Sequence, residues 1–114
     1  MESMKRLQAP PPSAVARLAI SLGQRVRAAR IRRGLRQEDL AAKAGLSRTA
    51  IEAVESGKLS TGLGTYLQAL WAMGLADNLD LLADPGLDRD GLALELNAQS
   101  KRVKVRKADL DNDF

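Results

Sequence analysis

The chain is 114 residues long, 45 % apolar, 3 % aromatic and charged to +4 at neutral pH. It holds no Cys and no His, which excludes zinc fingers, thiol chemistry and His-based acid–base catalysis. With Tyr66, Trp71 and Phe114 as its aromatic residues, the core must come from Leu, Ile, Val and Ala, which suits one small all-α domain with some tail.

Residues 1–12 end in three prolines and read as a disordered arm. Those prolines and Arg17 also interrupt any signal-peptide core, and no apolar run reaches the roughly 18–20 residues that span a bilayer. A cytoplasmic protein without membrane contact is therefore expected. From Ser13 to Arg33 the pattern is helical, with Val15, Leu18, Leu22, Val26 and Ala29 at spacings of three and four and Gly34 as a stop. Gly23 weakens this segment, so its packed part is expected to begin near Leu22. Arg25, Arg27, Arg30, Arg32, Arg33 and Arg36 crowd the same stretch, largely off the apolar stripe.

Gln37 to Ala44 reads as a second, short helix with Leu40, Ala41 and Ala44 inward and the acids Glu38 and Asp39 in its first turn. Gly45 is its left-handed end. Ser47 then caps a third helix running to about Ser56, which Gly57 stops. In this helix Ala50, Ile51 and Val54 face inward, while Arg48, Thr49, Glu52 and Ala53 face away.

Ser60 or Thr61 is expected to cap a fourth helix with Leu63, Leu67, Leu70 and Trp71 as its apolar face, closed by Gly74. Trp71 and Tyr66 read most simply as core or dimer-interface residues. Asn78 to Ala83 reads as a fifth helix, stopped by Asp84-Pro85-Gly86. Residues 88–98 fit a sixth helix capped by Asp88, against which Gly91 counts. The run KRVKVRK, Lys101 to Lys107, alternates polar and apolar, a hint of a lone β-strand. It divides three ways: a disordered basic tail, which is the simplest reading, a DNA-binding arm, or a strand pairing with its twin across a dimer. The final DLDNDF reads as a disordered tail. Between the two basic stretches, Asp77, Asp80, Asp84, Asp88, Asp90 and Glu95 make an acidic region.

Two short helices joined by one glycine turn are the helix-turn-helix layout. The polar tip of the third helix then has a purpose, because a helix entering the major groove by its N-terminus presents its first exposed side chains to base edges. Arg48 can bond guanine O6 and N7 together. Thr49 can bond a base or touch a thymine methyl, and Glu52 can accept from cytosine N4 or exclude a wrong register. No carboxylate pair in an evident pocket and no phosphate loop is present, since Gly62-Leu63-Gly64 lacks the required spacing; neither enzyme activity nor a cofactor or metal is expected.

The run GQRVRAARIRRGLRQEDLAAKAGLSRTAIEAVESGK resembles the Xre/Cro family of helix-turn-helix repressors, over Leu22 to Leu75. The resemblance implies a five-helix lambda-repressor-like fold over residues 13–84. It implies that Gln37 touches phosphate and braces the reading helix, that Ser47, Arg48, Thr49 and Glu52 line the groove, and that Ser56 and Lys58 hold the DNA backbone. Arg33 and Arg36 are the further phosphate candidates. It also implies an ion pair between Arg30 and Glu55. Arg36 departs from the family pattern, which places Ser, Thr or Asn before Gln37, and Ala53 is too small to read a base.

The stretch KLSTGLGTYLQALWAMGLADNL is similar to the HipB branch of the family, and so is a short basic strand near the C-terminus. That likeness implies an autoregulating type II antitoxin, a homodimer on double-stranded operator DNA that holds a HipA-like kinase toxin. Residues 85–114 would then serve dimerisation or partner contact, with the acidic region and Phe114 as candidate toxin surfaces. The alternatives are a solitary Xre-family regulator, from host or prophage, and an interaction adaptor that has lost DNA binding.

Overall fold

In a computed structural model that describes residues 9–112, and the side chains of residues 9–107, the chain is dominated by helices. The arm expected over residues 1–12 and the terminal Phe114 fall wholly or mostly outside the described residues. Among the described residues, five α-helices and one 3₁₀ helix follow in order: α1 (Ser13–Arg32), α2 (Gln37–Ala44), α3 (Arg48–Glu55), α4 (Leu63–Ala72), the 3₁₀ helix (Ala76–Leu81) and α5 (Arg89–Asn112). They fall into two compact units, Met1–Asp77 and Asn78–Phe114.

The first unit is built around α3, which packs against α1, α2 and α4, while α2 also packs against α4. Its core is Val26, Leu40, Ala41, Ala44, Ile51, Val54, Ala69, Leu70 and Met73, with Val26, Leu40, Ile51 and Val54 as the largest fully buried side chains. All are aliphatic or Met, as the scarcity of aromatic residues requires. The turn between α2 and α3 follows from its sequence. Gly45 sits at φ 69°, a left-handed position that costs glycine nothing, and Ser47 Oγ accepts the Ala50 N–H at 3.1 Å as the N-cap of α3.

Helix α1 runs unbroken through Gly23, contrary to the weakening expected there. Gly23 is instead the point of closest approach to α3, because a Cβ at this position would lie 2.6 Å from both the Val54 and Glu55 carbonyl oxygens. Gly57, two residues past the end of α3, makes the neighbouring approach to α1. Its φ of 71° is left-handed, and a Cβ there would lie 2.6 Å from Ile20 Cα. The buried part of α1 begins at Gly23 and continues through Val26 and Arg30, whereas Val15 and Leu18 are exposed.

Helix α4 is rotated from the expected face. Its inward residues are Ala69 and Leu70, followed by Met73 just past the helix end, with Tyr66 and Leu67 half-buried, while Leu63 and Trp71 are 70 % and 68 % exposed. The inward row runs from Tyr66 at the helical spacing and ends on Met73, while Trp71, read as a core or dimer-interface residue, lies outside the core. The cap is also corrected: Gly62 occupies the N-cap position with no side-chain bond, and the Thr61 hydroxyl is buried without a partner among the described residues.

The expected fifth helix over 78–83 is a 3₁₀ helix shifted to Ala76–Leu81, across the division between the units. Lys101 to Lys107 lies within α5 and is not a lone strand. The physical reason is local: Asp88 Oδ1 accepts the Gly91 N–H at 2.9 Å and starts a helix that Leu, Ala, Glu, Gln, Lys and Arg can extend, while a single strand has nothing among the described residues to pair with. None of the α5 side chains described, up to Lys107, is buried.

Candidate nucleic-acid interface

The tip of α3 carries Arg48, Thr49 and Glu52, all exposed, behind the capping Ser47. The first N–H groups of a helix have no partner within it, and the dipole adds partial positive charge at this end. Arg48 Nε lies 3.2 Å from Glu52 Oε1, one turn on, with the two side chains 63 % and 50 % exposed. A surface pair of this kind is worth only about 0.3–0.5 kcal/mol. It orders the two side chains, yet a bidentate contact to guanine outweighs it.

At the far end of α3 the arrangement is different. The Arg30 guanidinium grips the Glu55 carboxylate with Nε–Oε2 at 2.7 Å and Nη2–Oε1 at 2.9 Å, and its Nη1 donates to the Leu35 carbonyl at 2.8 Å. Both side chains are nearly covered, 10 % and 4 % exposed, so the pair is structural in kind. Hydrogen bonding to Glu55 raises the Arg30 pKa above its ordinary value, against the opposing effect of burial. Gln37, the first residue of α2 and half-buried, donates from Nε2 to Glu55 Oε1 at 3.4 Å. The Arg30–Glu55 pair thus joins α1, the α1–α2 turn, α2 and α3.

The remaining candidates are exposed cations and a hydroxyl. Arg33 Nη1 donates to the Ala29 carbonyl at 2.9 Å. Arg36 is held by two neighbouring acids, with Nε–Asp39 Oδ2 at 3.1 Å and Nη1–Glu38 Oε1 at 3.3 Å. Asp39 Oδ2 also accepts the Arg36 backbone N–H at 2.9 Å, so the acid three residues on supplies half of a capping box that Arg36 itself cannot supply. The side-chain hydrogen bond from Arg36 holds the Asp39 carboxyl below the usual carboxylate range, and the same contact raises the Arg36 pKa. Ser56 Oγ donates to the Ala53 carbonyl at 3.0 Å, and Lys58 is exposed with no ion pair among the described residues.

The structure therefore sorts the candidates into two bonded groups on α3. Ser47, Arg48 and Glu52 stand at its open tip, and Arg30, Gln37 and Glu55 lock its other end. Sequence reasoning missed the Leu35 carbonyl as the second partner of Arg30 and both glycines at the α1–α3 crossing. It also missed the compensation of Arg36, although the Arg36-x-x-Asp39 spacing was there to be read.

A helix held from behind on three sides, with a polar, capped N-terminus in solvent, defines a helix-turn-helix domain, the DNA-binding module of many regulators. The family model for the helix-turn-helix domain matches residues 21–82, more than half of the chain, and the protein belongs to that family. No curated protein and no solved structure matches it. Among the described residues, no helix is long and apolar enough to cross a membrane, and no group of His, Cys, Asp and Glu is placed to hold a metal ion.

Proposed function

We propose that this protein is a sequence-specific transcriptional repressor that reads the major groove of double-stranded operator DNA with the N-terminal end of α3. The observation that carries this reading is the exposed tip Ser47, Arg48, Thr49 and Glu52, backed by a helix whose other end is fixed by a buried bidentate ion pair. Arg48 takes a guanine, Thr49 a neighbouring base, and Glu52 orients Arg48 while rejecting bases that offer it no donor. Gln37, Arg33, Arg36, Ser56 and Lys58 hold the phosphates, Arg36 by exchanging its two carboxylates for one. Because one such module spans few base pairs, the protein binds as a homodimer on half-sites about one helical turn apart.

Within this class the solitary Xre-family regulator takes first place. The antitoxin reading, with a HipA-like kinase as partner, rests on the likeness of Lys58 to Leu79 to the HipB branch, and the helical state of Lys101 to Lys107 removes the dimer-crossing strand from that likeness. Selecting bound duplexes from a random pool tests the main reading. Arg48→Ala is expected to lose about 1–3 kcal/mol of discrimination at one operator position, and Arg33→Ala to weaken all sequences alike. Undiminished discrimination by the Arg48 variant would remove α3 as the reading helix. Purification of the tagged protein from its own cell, with a stoichiometric kinase-like companion, would restore the antitoxin reading.

A further inference from the structure

The second unit carries a charge pattern that the helix-turn-helix domain does not explain. From Lys101 to Lys107 the chain places Lys101, Arg102, Lys104, Arg106 and Lys107 on α5, every one exposed. No acid occurs between Asn97 and Lys107, so Lys101, Arg102 and Lys104 have none three or four residues away in either direction. The near neighbours are like charges instead: Lys101 with Lys104, Lys104 with Lys107, and Arg102 with Arg106, at spacings that destabilise a helix. The helix is thus left with a repulsion that an outside anion would relieve.

We propose that this basic segment of α5 is a second, sequence-independent contact for the phosphates of duplex DNA. Three observations choose this partner over other anions. At the helical advance per residue the five cations are spread around the whole circumference, and the apolar residues Leu92, Leu94, Leu96, Val103 and Val105 are likewise not gathered on one face. A helix lying on an anionic membrane needs its apolar residues on one side and its cations on the other. A duplex groove has phosphates on both walls, which is what a helix ringed by cations fits. The segment Arg89–Asn112 has no Phe, Tyr or Trp, so it lacks the stacking platform that single-stranded nucleic acid binding uses. The proposal rests on the reading of α3 as the base-reading helix only in that covalent linkage within one chain keeps α5 at high effective concentration near DNA that α3 has bound.

The test uses the full chain and a fluorescein-labelled mixed-sequence duplex. Affinity is measured by anisotropy across a range of salt for the wild type, for the triple variant Lys101→Gln, Arg102→Gln, Lys104→Gln, and for Arg102→Lys as the charge-preserving control. The slope of log affinity against log salt should fall in the triple variant by up to about 2.7, that is about 0.9 for each phosphate that is no longer neutralised. The control should keep the wild-type slope. An unchanged slope in the triple variant, with circular dichroism showing the chain folded, overturns the proposal. So does a triple variant that keeps its DNA slope but loses sedimentation with phosphatidylserine vesicles, which would assign the segment to a membrane surface. Base discrimination by Arg48→Ala is read separately. Its persistence would sink the α3 reading and leave a reduced slope in the triple variant as support for α5.

Discussion

The two units of this chain are both rich in helix but hold it by different means. In Met1–Asp77 each short helix is fixed by burial: α2 and α3 carry three buried residues apiece, and a buried ion pair ties their ends to α1. In Asn78–Phe114 the longest helix of the protein buries none of its described side chains and stands on its Asp88 cap and on propensity. Eight residues suffice for a helix when tertiary contacts supply its stability, whereas the 24-residue helix without them depends on a length past the roughly 12–15 residues below which isolated helices are marginal. Base reading requires a rigid support; a phosphate contact tolerates a helix that firms up on its ligand.

Substitutions sharpen this contrast, and the largest effect is expected at Glu55. Glu55→Ala leaves the Arg30 guanidinium buried without its carboxylate and should cost about 3–5 kcal/mol in urea unfolding. A loss under about 1 kcal/mol would mean that the pair is solvated and that the first unit is held by its apolar core alone. The two N-caps come next. Ser47→Ala should lower the stability of the whole first unit by ~1 kcal/mol, moving the main thermal transition. Asp88→Ala should leave that transition in place and only reduce the helical signal at low temperature. A shared shift of the main transition would show that the units unfold as one.

A smaller effect is expected at an exposed leucine of the second unit. Leu94→Ala, at a side chain 71 % exposed, should change stability by no more than about 0.5 kcal/mol. Circular dichroism is the right monitor, since the single Trp71 is largely exposed and reports poorly on the core. The smallest effect is electrostatic. Because Arg36 holds the Asp39 carboxyl below its ordinary range, the folded state binds that proton less readily than the unfolded chain. The resulting contribution is complete above the unfolded carboxylate value of about 3.9 and is lost as pH falls through the lowered folded value. Asp39→Asn should therefore show a gap in stability from the wild type near neutral pH that closes on acidification. A gap that widens in acid would contradict the pairing.

The helices of the first unit were legible because cap, period and stop coincide in sequence: Gly34, Gly45, Ser47 and Gly57 each mark an end where the chain has one. The face of α4 was not legible, because Leu63 and Trp71 outweigh Ala69 and Met73 in hydrophobicity while the packing partners of α4 favour the latter. Nor was the state of Lys101 to Lys107, where a short alternation has no partner strand to act on. At the interface the exposed tip of α3 followed from its helical period. The bond to Leu35 and the closeness of the α1–α3 crossing depend on distances between elements, which no local pattern encodes.

That crossing bears on what can vary in this protein. With Gly23 under the carbonyls of Val54 and Glu55, and Gly57 against Ile20, the interval between α1 and the C-terminal end of α3 is set by main chain touching main chain. Side chains on the outer surface can be exchanged while this frame stays the same, and on the proposed reading such exchanges would retune the operator and the grip on its phosphates. A single methyl group at either glycine would change the frame itself, and with it the placing of α3 against α1.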